Sequence, residues 1–233
     1  MLGALLYYEN EQDDKGMIMQ PAKDPRINYK NLVQQGYDHC ASAYDAARQR
    51  EANPELELVS SRLLDGAQVL DIGCGAGIPI ASKLTQRFLV TGIDISGEQI
   101  RLARQHVPSG TFIQADIMTV DFSDATFDAV VSFYAIFHVP REEHAELFKR
   151  IRRWLKPGGF LLVTVAAQDE DPYTEDDFFG VTMYWSNYGL KYYCDLLKAL
   201  GYQLLVTDIV KHGYTDDQER PAEIHPIIFA QVI

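Results

Sequence analysis

Three groups of residues in this chain have types and spacing suited to chemistry. The first is the glycine-rich stretch Asp71-Ile-Gly73-Cys74-Gly75-Ala-Gly77. Glycines let a backbone turn sharply and approach a ligand with no side chain in the way, and an acid two places earlier puts a negative charge beside that turn. The second group is the carboxylates Asp94 and Asp116, each expected at or just past the end of a strand. A carboxylate in such a place can accept both hydroxyl protons of a ribose; one followed by Ile117 and Met118 can take the amino group of an adenine packed on those side chains. Singly, Asp94 also reads as a helix cap and Asp116 as a turn residue. Three acids at the ends of three consecutive strands share one sheet edge, however, and half-buried carboxylates need partners. The third group is His138, in Phe137-His138-Val139-Pro140, and His225, in Glu223-Ile-His225-Pro226. Either imidazole can take a proton near pH 7; either is equally a packing or turn residue.

The elements that must position these residues follow from pattern. Residues 29–51 have apolar positions at helical spacing, and a short helix is expected over 55–65. Gln68–Ile72 is an apolar run closed by glycines, which reads as a buried strand. A helix over 77–86, a strand over 88–94 and a helix opened by Ser96 come next, with Gln99 three places on as a capping box. Further strands are expected at 111–115, 127–133 and 160–166, with a charged amphipathic helix at 141–155 before Lys156-Pro-Gly-Gly159. The helix 188–200 stops at Gly201, and two last strands, 202–210 and 225–232, are expected to pair antiparallel. Alternating strands and helices imply an α/β fold with a mostly parallel sheet. In such sheets the ligand crevice lies outside the carboxyl ends of the strands.

Composition narrows the function classes. The 233 residues carry 33 acidic against 21 basic side chains, a formal charge of −12. A surface that negative disfavours a nucleic-acid partner. Cys40, Cys74 and Cys194 are odd in number and widely spaced, which suggests neither a disulfide framework nor a zinc site. The apolar start is brief and lacks a basic region, and no apolar run reaches the roughly 18 residues of a membrane span. A soluble cytoplasmic protein, monomeric or homodimeric, is expected. Residues 1–30 read as an arm or lid before a single domain, 31–233. The acid-rich stretch 168–187 reads as a long loop, and long loops are often functional.

Taken together, Asp71–Gly77, Gly92-Ile-Asp94, Ala115-Asp-Ile117, Phe127-Asp-Ala-Val-Val131 and Leu155-Lys-Pro-Gly-Gly159 resemble class I S-adenosylmethionine-dependent methyltransferases. The subgroup resembled is the small-molecule one, of the ubiquinone- and menaquinone-biosynthesis type with natural-product relatives. The resemblance implies a Rossmann-like seven-stranded sheet in the order 3-2-1-4-5-7-6, its last strand antiparallel. It also implies roles for single residues. The loop of Gly73, Cys74, Gly75 and Gly77 would hold the methionine part of the cofactor, with Asp71 near its amino group. Asp94 would bind the ribose, Ile95 would pack on the adenine, and Asp116 and Ile117 would read the adenine edge. Ser132 and Phe133 would lie beside the methionine part and the sulfonium. Tyr44 and Arg48 match a helix that closes over the cofactor.

S-adenosyl-L-methionine as methyl donor, a small-molecule acceptor and no metal are therefore expected. An in-line displacement depends mostly on alignment and exclusion of water. His138 is the first candidate base and His225 the second. Phe133 and Tyr134 are placed for a cation, and Phe178, Phe179, Tyr184 and Trp185 can line an acceptor pocket with Tyr134. Two other classes stay open. A nicotinamide-dependent oxidoreductase would need a third fingerprint glycine where Ile78 stands. A repurposed methyltransferase fold, binding the cofactor without methylating, fits the same motifs.

Overall fold

The computed structural model describes residues 20–21, 28–48, 53–211 and 224–233. Helix α1 (Tyr29–Arg48) and the short α2 (Leu56–Ser60) precede a central sheet. Its first four strands are β2 (Gln68–Ile72), β3 (Leu89–Asp94), β4 (Thr111–Gln114) and β5 (Phe127–Ser132). Helix α3 (Ile80–Leu84) follows β2 and α4 (Gly97–His106) follows β3. After β5 come α5 (Arg141–Trp154), β6 (Leu155–Thr164), α6 (Leu190–Ala199), β9 (Tyr202–Lys211) and β10 (Ile224–Val232). A second, three-stranded sheet holds β1 (Gln20–Pro21), β7 (Glu170–Phe178) and β8 (Val181–Asn187).

The main sheet runs β4-β3-β2-β5-β6-β10-β9. Counted within that sheet alone, this is the expected order 3-2-1-4-5-7-6, with β10 antiparallel to both neighbours. Strand β2 lies at the centre, Leu70 opposite Thr91 on one side and Val130 on the other. Its side chains alternate between two cores, as a two-faced buried strand requires. Val69 joins the core with Val59 of α2, Leu84 of α3 and Ile100 of α4. Leu70 and Ile72 join the core with Leu147, Ile151 and Trp154 of α5 and Leu197 of α6. In α5 the residues Leu147, Phe148, Ile151 and Trp154 fall on one stripe and are fully buried, which is why a helix so rich in charge is held to the sheet.

Several boundaries differ from the sequence expectation. Helix α3 begins at Ile80 rather than 77. Gly73, Gly75 and Gly77 all have positive φ, and the residue before Pro79 is biased away from helix, so the turn consumes the first positions. Helix α2 is shorter than expected, with the Ser61 hydroxyl donating back to the Glu57 carbonyl at its end. Strand β6 starts at Leu155, and its register with β5 shifts around Pro157-Gly158-Gly159 before Phe160 meets Ala129. The largest difference is 168–187. The expected loop is a β-hairpin, β7 and β8, with β1 on its edge. Residues 182–187 show no polar and apolar alternation, and the acids of 169–177 read as solvated loop, so the strands are fixed by their pairing with each other. Residues 1–19, 22–27 and 49–51, expected as an arm and a helix end, lie outside the described residues. Among the described residues, no helix is long and apolar enough to cross a membrane.

Gly92 in β3 shows how tight this centre is. A Cβ there would stand 2.7 Å from the Phe112 ring and 2.8 Å from the Cys74 sulfur. Gly92→Ala is expected to cost about 1–3 kcal/mol by overpacking, seen as a lower urea midpoint. An unchanged midpoint would contradict this packing.

Candidate functional site

The carboxyl ends of β2, β3, β4 and β5 stop side by side, and the glycine-rich turn leaves β2 there. Gly73 has φ +71°, and a Cβ on it would fall 2.0 Å from the Ala135 Cβ, so only glycine lets the two loops cross. Asp94, the last residue of β3, ties the turn down. Its Oδ2 accepts the Gly75 N–H and its Oδ1 accepts the Ser96 N–H, each at 2.9 Å. Ser96 caps α4, its Oγ accepting the Gln99 N–H at 3.1 Å; the reciprocal half of the expected capping box is absent, because the Ser96 N–H goes to Asp94 and the Gln99 carboxamide makes no bond back. The same hydroxyl donates to Asp38 Oδ1 at 2.6 Å, and Asp38 also accepts the Glu98 N–H. Helix α1 is thereby fastened over the strand ends by a second cap on α4.

An elongated cavity runs along this edge in two joined compartments. Asp71, Cys74 and Arg48 line one end; Asp94, Ile95, Asp116 and Ile117 line the other. Gly73, Gly75, Phe133 and Tyr44 belong to both. Asp71 is 1% exposed and its Oδ2 has no hydrogen-bond partner. Burial, and then the nearby charge of Asp94, push the Asp71 carboxyl up to about 7. Burial raises Asp94 to about 6 even though the N–H groups of Ser96 and Gly75 pull the other way. Burial and the same two carboxylates hold the Cys74 thiol well above its ordinary value, so it stays protonated and inert. Asp116 accepts the Met118 N–H at 2.9 Å and pairs with Lys30 at 3.0 Å.

A third cavity, about 400 Å³, lies beyond Tyr37, Tyr134 and His138, which face both it and the strand-end cavity. Its other walls include Phe178, Trp185 and His225. Trp185 and Asn187, two apart on β8, face it together, as strand alternation requires. Tyr184 therefore faces elsewhere: its ring is buried and stacked on Tyr29 at 4.4 Å. This corrects the expectation that Tyr184 lines the pocket. Phe179 sits at the hairpin tip with φ +51°, edge-on to Tyr44 and Phe178; Phe178 takes the wall position.

Two further expected contacts are spent on the fold. The Ser132 hydroxyl donates to the Ile72 carbonyl at 3.0 Å, linking β5 to β2. Gly77 makes room for α4, since a Cβ there would stand 3.1 Å from the Val107 side chain. His138 is placed differently from a free base. Its Nδ1 lies 2.8 Å from the Tyr184 carbonyl and must donate to it. Its Nε2 then accepts from the Tyr37 hydroxyl, also at 2.8 Å. Burial drives the imidazole down to about 4, so it is neutral at pH 7. The hydroxyl of Tyr37, rather than a bare ring nitrogen, is what this pair presents. His225 packs its ring on Phe137 and edge-on to Tyr134.

Sequence reasoning missed Tyr37, Lys30 and Gln99. Tyr37 and Tyr44 are seven apart, two turns along one face of α1, which was a usable signal. Lys30 lies at a position read as part of the arm. The sequence marks Gln99 only as a capping residue; its fully buried carboxamide lines the cavity with neither atom partnered.

Residues 69–159 match the model of a methyltransferase domain family. The chain is similar to sterol methyltransferase-like 2 of Botryococcus braunii, 34% identical over 153 residues that cover 58% of this chain and 39% of that protein. It is 30% identical over 153 residues to phosphoethanolamine N-methyltransferase of Plasmodium falciparum, covering 62% and 57% of the two. Over the first of these curated relatives the chain spans from 31% to 57% of their length. Among solved structures it is similar in fold to the Burkholderia thailandensis 1,6-didemethyltoxoflavin-N1-methyltransferase with bound 1,6-didemethyltoxoflavin and S-adenosylhomocysteine. That match has a TM-score of 0.69 at 18% identity and covers 97% of this chain and 99% of that one.

The His138 geometry makes a direct prediction. Its imidazole should remain neutral in the Nδ1–H tautomer from about pH 5.5 to 8, the range in which a free histidine titrates. Nitrogen-15 NMR of histidine-labelled protein reads this; a His138 signal titrating near pH 6.5 would contradict it.

Proposed function

We propose that this chain, whose fold is that of the class I methyltransferases and whose residues 69–159 form a methyltransferase domain, moves a methyl group from S-adenosylmethionine to a small-molecule acceptor. The observation that carries this reading is Asp71, a buried carboxylate with an unpartnered oxygen beside the glycine turn. A buried acid of that kind calls for a cation, and the α-ammonium of the cofactor is one.

The rest of the cavity is consistent in shape and chemistry. Gly73 and Gly75 leave backbone where side chains would fill the slot. Asp94 spends one lone pair of each oxygen on Gly75 and Ser96 and keeps the others for the ribose hydroxyls. Ile95 and Ile117 supply apolar surface for the adenine, and Asp116, oriented by Lys30 and Met118, takes its amino group. Phe133 and Tyr44 stand at the joint between the compartments, which suits the sulfonium. Bound there, S-adenosylmethionine supplies an activated methyl.

The chain's own contribution is then placement. Tyr37, Tyr134 and His138 form the shared wall through which an acceptor in the third cavity reaches the methyl. Aromatic faces tolerate the positive charge, and the hairpin with α1 keeps water from the line of transfer. For an acceptor that must lose a proton, Tyr37 is the group in reach: with its own proton held by His138 Nε2, its oxygen can accept a hydrogen bond from the acceptor and orient it while the proton leaves to water. His225 serves as part of the packed wall.

Two measurements test the reading. Calorimetric titration should show micromolar-range binding of S-adenosylmethionine and S-adenosylhomocysteine and none of NAD. Asp94→Ala should weaken the first two about ten- to hundredfold, the scale of losing hydrogen bonds to a charged group. NAD binding alone, or full affinity in the variant, would sink the assignment.

The second is pH dependence. Asp71 lies near 7 in the free site, and a cationic partner favours its ionised form, so binding releases a proton wherever the free acid is protonated. Affinity for S-adenosylhomocysteine should therefore rise as pH increases from about 5 to 7 and flatten above. Asp71→Asn should lower the affinity and remove the part of the slope nearest pH 7, leaving the part near 6 that belongs to Asp94; a slope retained in full would contradict the role of Asp71.

A further inference from the structure

The third cavity carries chemistry that the methyl-transfer reading does not by itself specify. Asn187, at the end of β8, is 2% exposed and faces this cavity. Its Nδ2 donates to Glu170 Oε2 at 2.6 Å. That bond fixes the amide orientation, because the flipped amide would set its oxygen against the carboxylate. The Oδ1 is left buried and with no hydrogen-bond partner. A buried acceptor without a donor costs free energy until a ligand supplies one.

The surroundings say what kind of donor. Asp169, Glu170 and Glu175 lie on the same wall. Asp169 accepts the Gly189 N–H at 2.7 Å. Among the described residues lining this cavity there is no lysine or arginine. Arg141 reaches the Glu170 carbonyl at 3.2 Å, but its guanidinium is paired with Asp171 at 2.5 Å. The remaining walls present aromatic rings, among them Phe137, Phe178 and Trp185. Carboxylates and ring faces both favour a cation, and nothing described on the wall offers a countercharge to an anion. The indole N–H of Trp185 has no partner either and suits a hydrogen-bond acceptor elsewhere on the same molecule.

We infer that the acceptor is a nitrogen base, an amine or an N–H heterocycle with no anionic group on the end that enters this cavity, held by Asn187 Oδ1 and the acidic wall. This rests on the methyl-transfer reading for its chemistry. An amine that enters as its ammonium first gives one proton to water; the neutral nitrogen's lone pair then forms the new N–C bond while the C–S bond breaks with its electron pair going to sulfur. The resulting ammonium then sheds one proton to water. The acids and rings lower the energy of the cation that develops at nitrogen, which an oxygen or carbon acceptor losing its proton would not use.

The test is calorimetric titration with three probes of matched ring and length: phenethylamine, phenethyl alcohol and phenylacetate. Each is titrated into the whole chain, free and saturated with S-adenosylhomocysteine. The amine should bind at least tenfold more tightly than either other probe. Asn187→Leu should reduce that affinity about tenfold, in line with the loss of a buried hydrogen bond to a charged group, with S-adenosylhomocysteine affinity unchanged. Glu175→Gln, on the hairpin, should weaken the amine and spare the alcohol, and it serves where the Asn187 variant does not fold. Alcohol or phenylacetate binding as well as the amine would overturn the inference, as would no amine binding in either form at millimolar concentration. Failure of S-adenosylhomocysteine to bind at all would instead sink the methyl-transfer reading, and amine preference by the free chain would still support the cavity's selectivity.

Discussion

Two carboxylates buried side by side at the ends of β2 and β3 set the terms for everything around them. Burial raises the proton affinity of both Asp71 and Asp94; the charge of Asp94 adds to the effect on Asp71, and that of Asp38 to the effect on Asp94. Asp94 is tolerated because backbone N–H groups of the turn and of the α4 start point at it. Those two bonds fix the turn's path, and the path demands glycine at 73, where any Cβ would strike Ala135. Asp71 has no such relief for its Oδ2. An isolated buried charge of that kind is costly, which is the observation that the proposed cationic ligand answers.

The second dependence runs through α1. Asp38 reaches the same α4 terminus that Ser96 caps, so the helix that roofs the cavity is tied to the strand end that forms its floor. Tyr37 and Tyr44 come with it, one bonded to His138 and the other at the joint of the compartments. Roof, turn and the Tyr37–His138 pair form one connected unit, so a change in any member would be felt at the wall between the two cavities.

The hairpin β7–β8 walls the third cavity. Its carbonyl at Tyr184 holds His138 in one tautomer, while the alternate residues Trp185 and Asn187 face the cavity. One strand thus both orients the imidazole and lines the third cavity. Strand periodicity divides that labour by residue parity, which is why the neighbouring aromatics Tyr184 and Trp185 have opposite fates.

The sequence by itself determined the sheet and its strand-end acids. Short apolar runs punctuated by glycine are a local signal, and Asp71, Asp94 and Asp116 stand within two residues of strand ends, so their common edge follows once the strands are found. The Ser96 cap was legible for the same reason. What only the tertiary structure decided involves partners far apart in the chain. Tyr37 meets His138 across 101 residues and His138 meets Tyr184 across 46. The acids of 169–177 hid a strand because charge reads as loop, whereas β7 is held by pairing with β8 and β1. Ser132 and Gly77 sit where the motif places them, but one hydroxyl was needed by β2 and one missing Cβ by α4. Local pattern fixes which backbone ends where; which side chain is left over for a ligand depends on which neighbours have already claimed the others, and those neighbours exist only once the chain has folded.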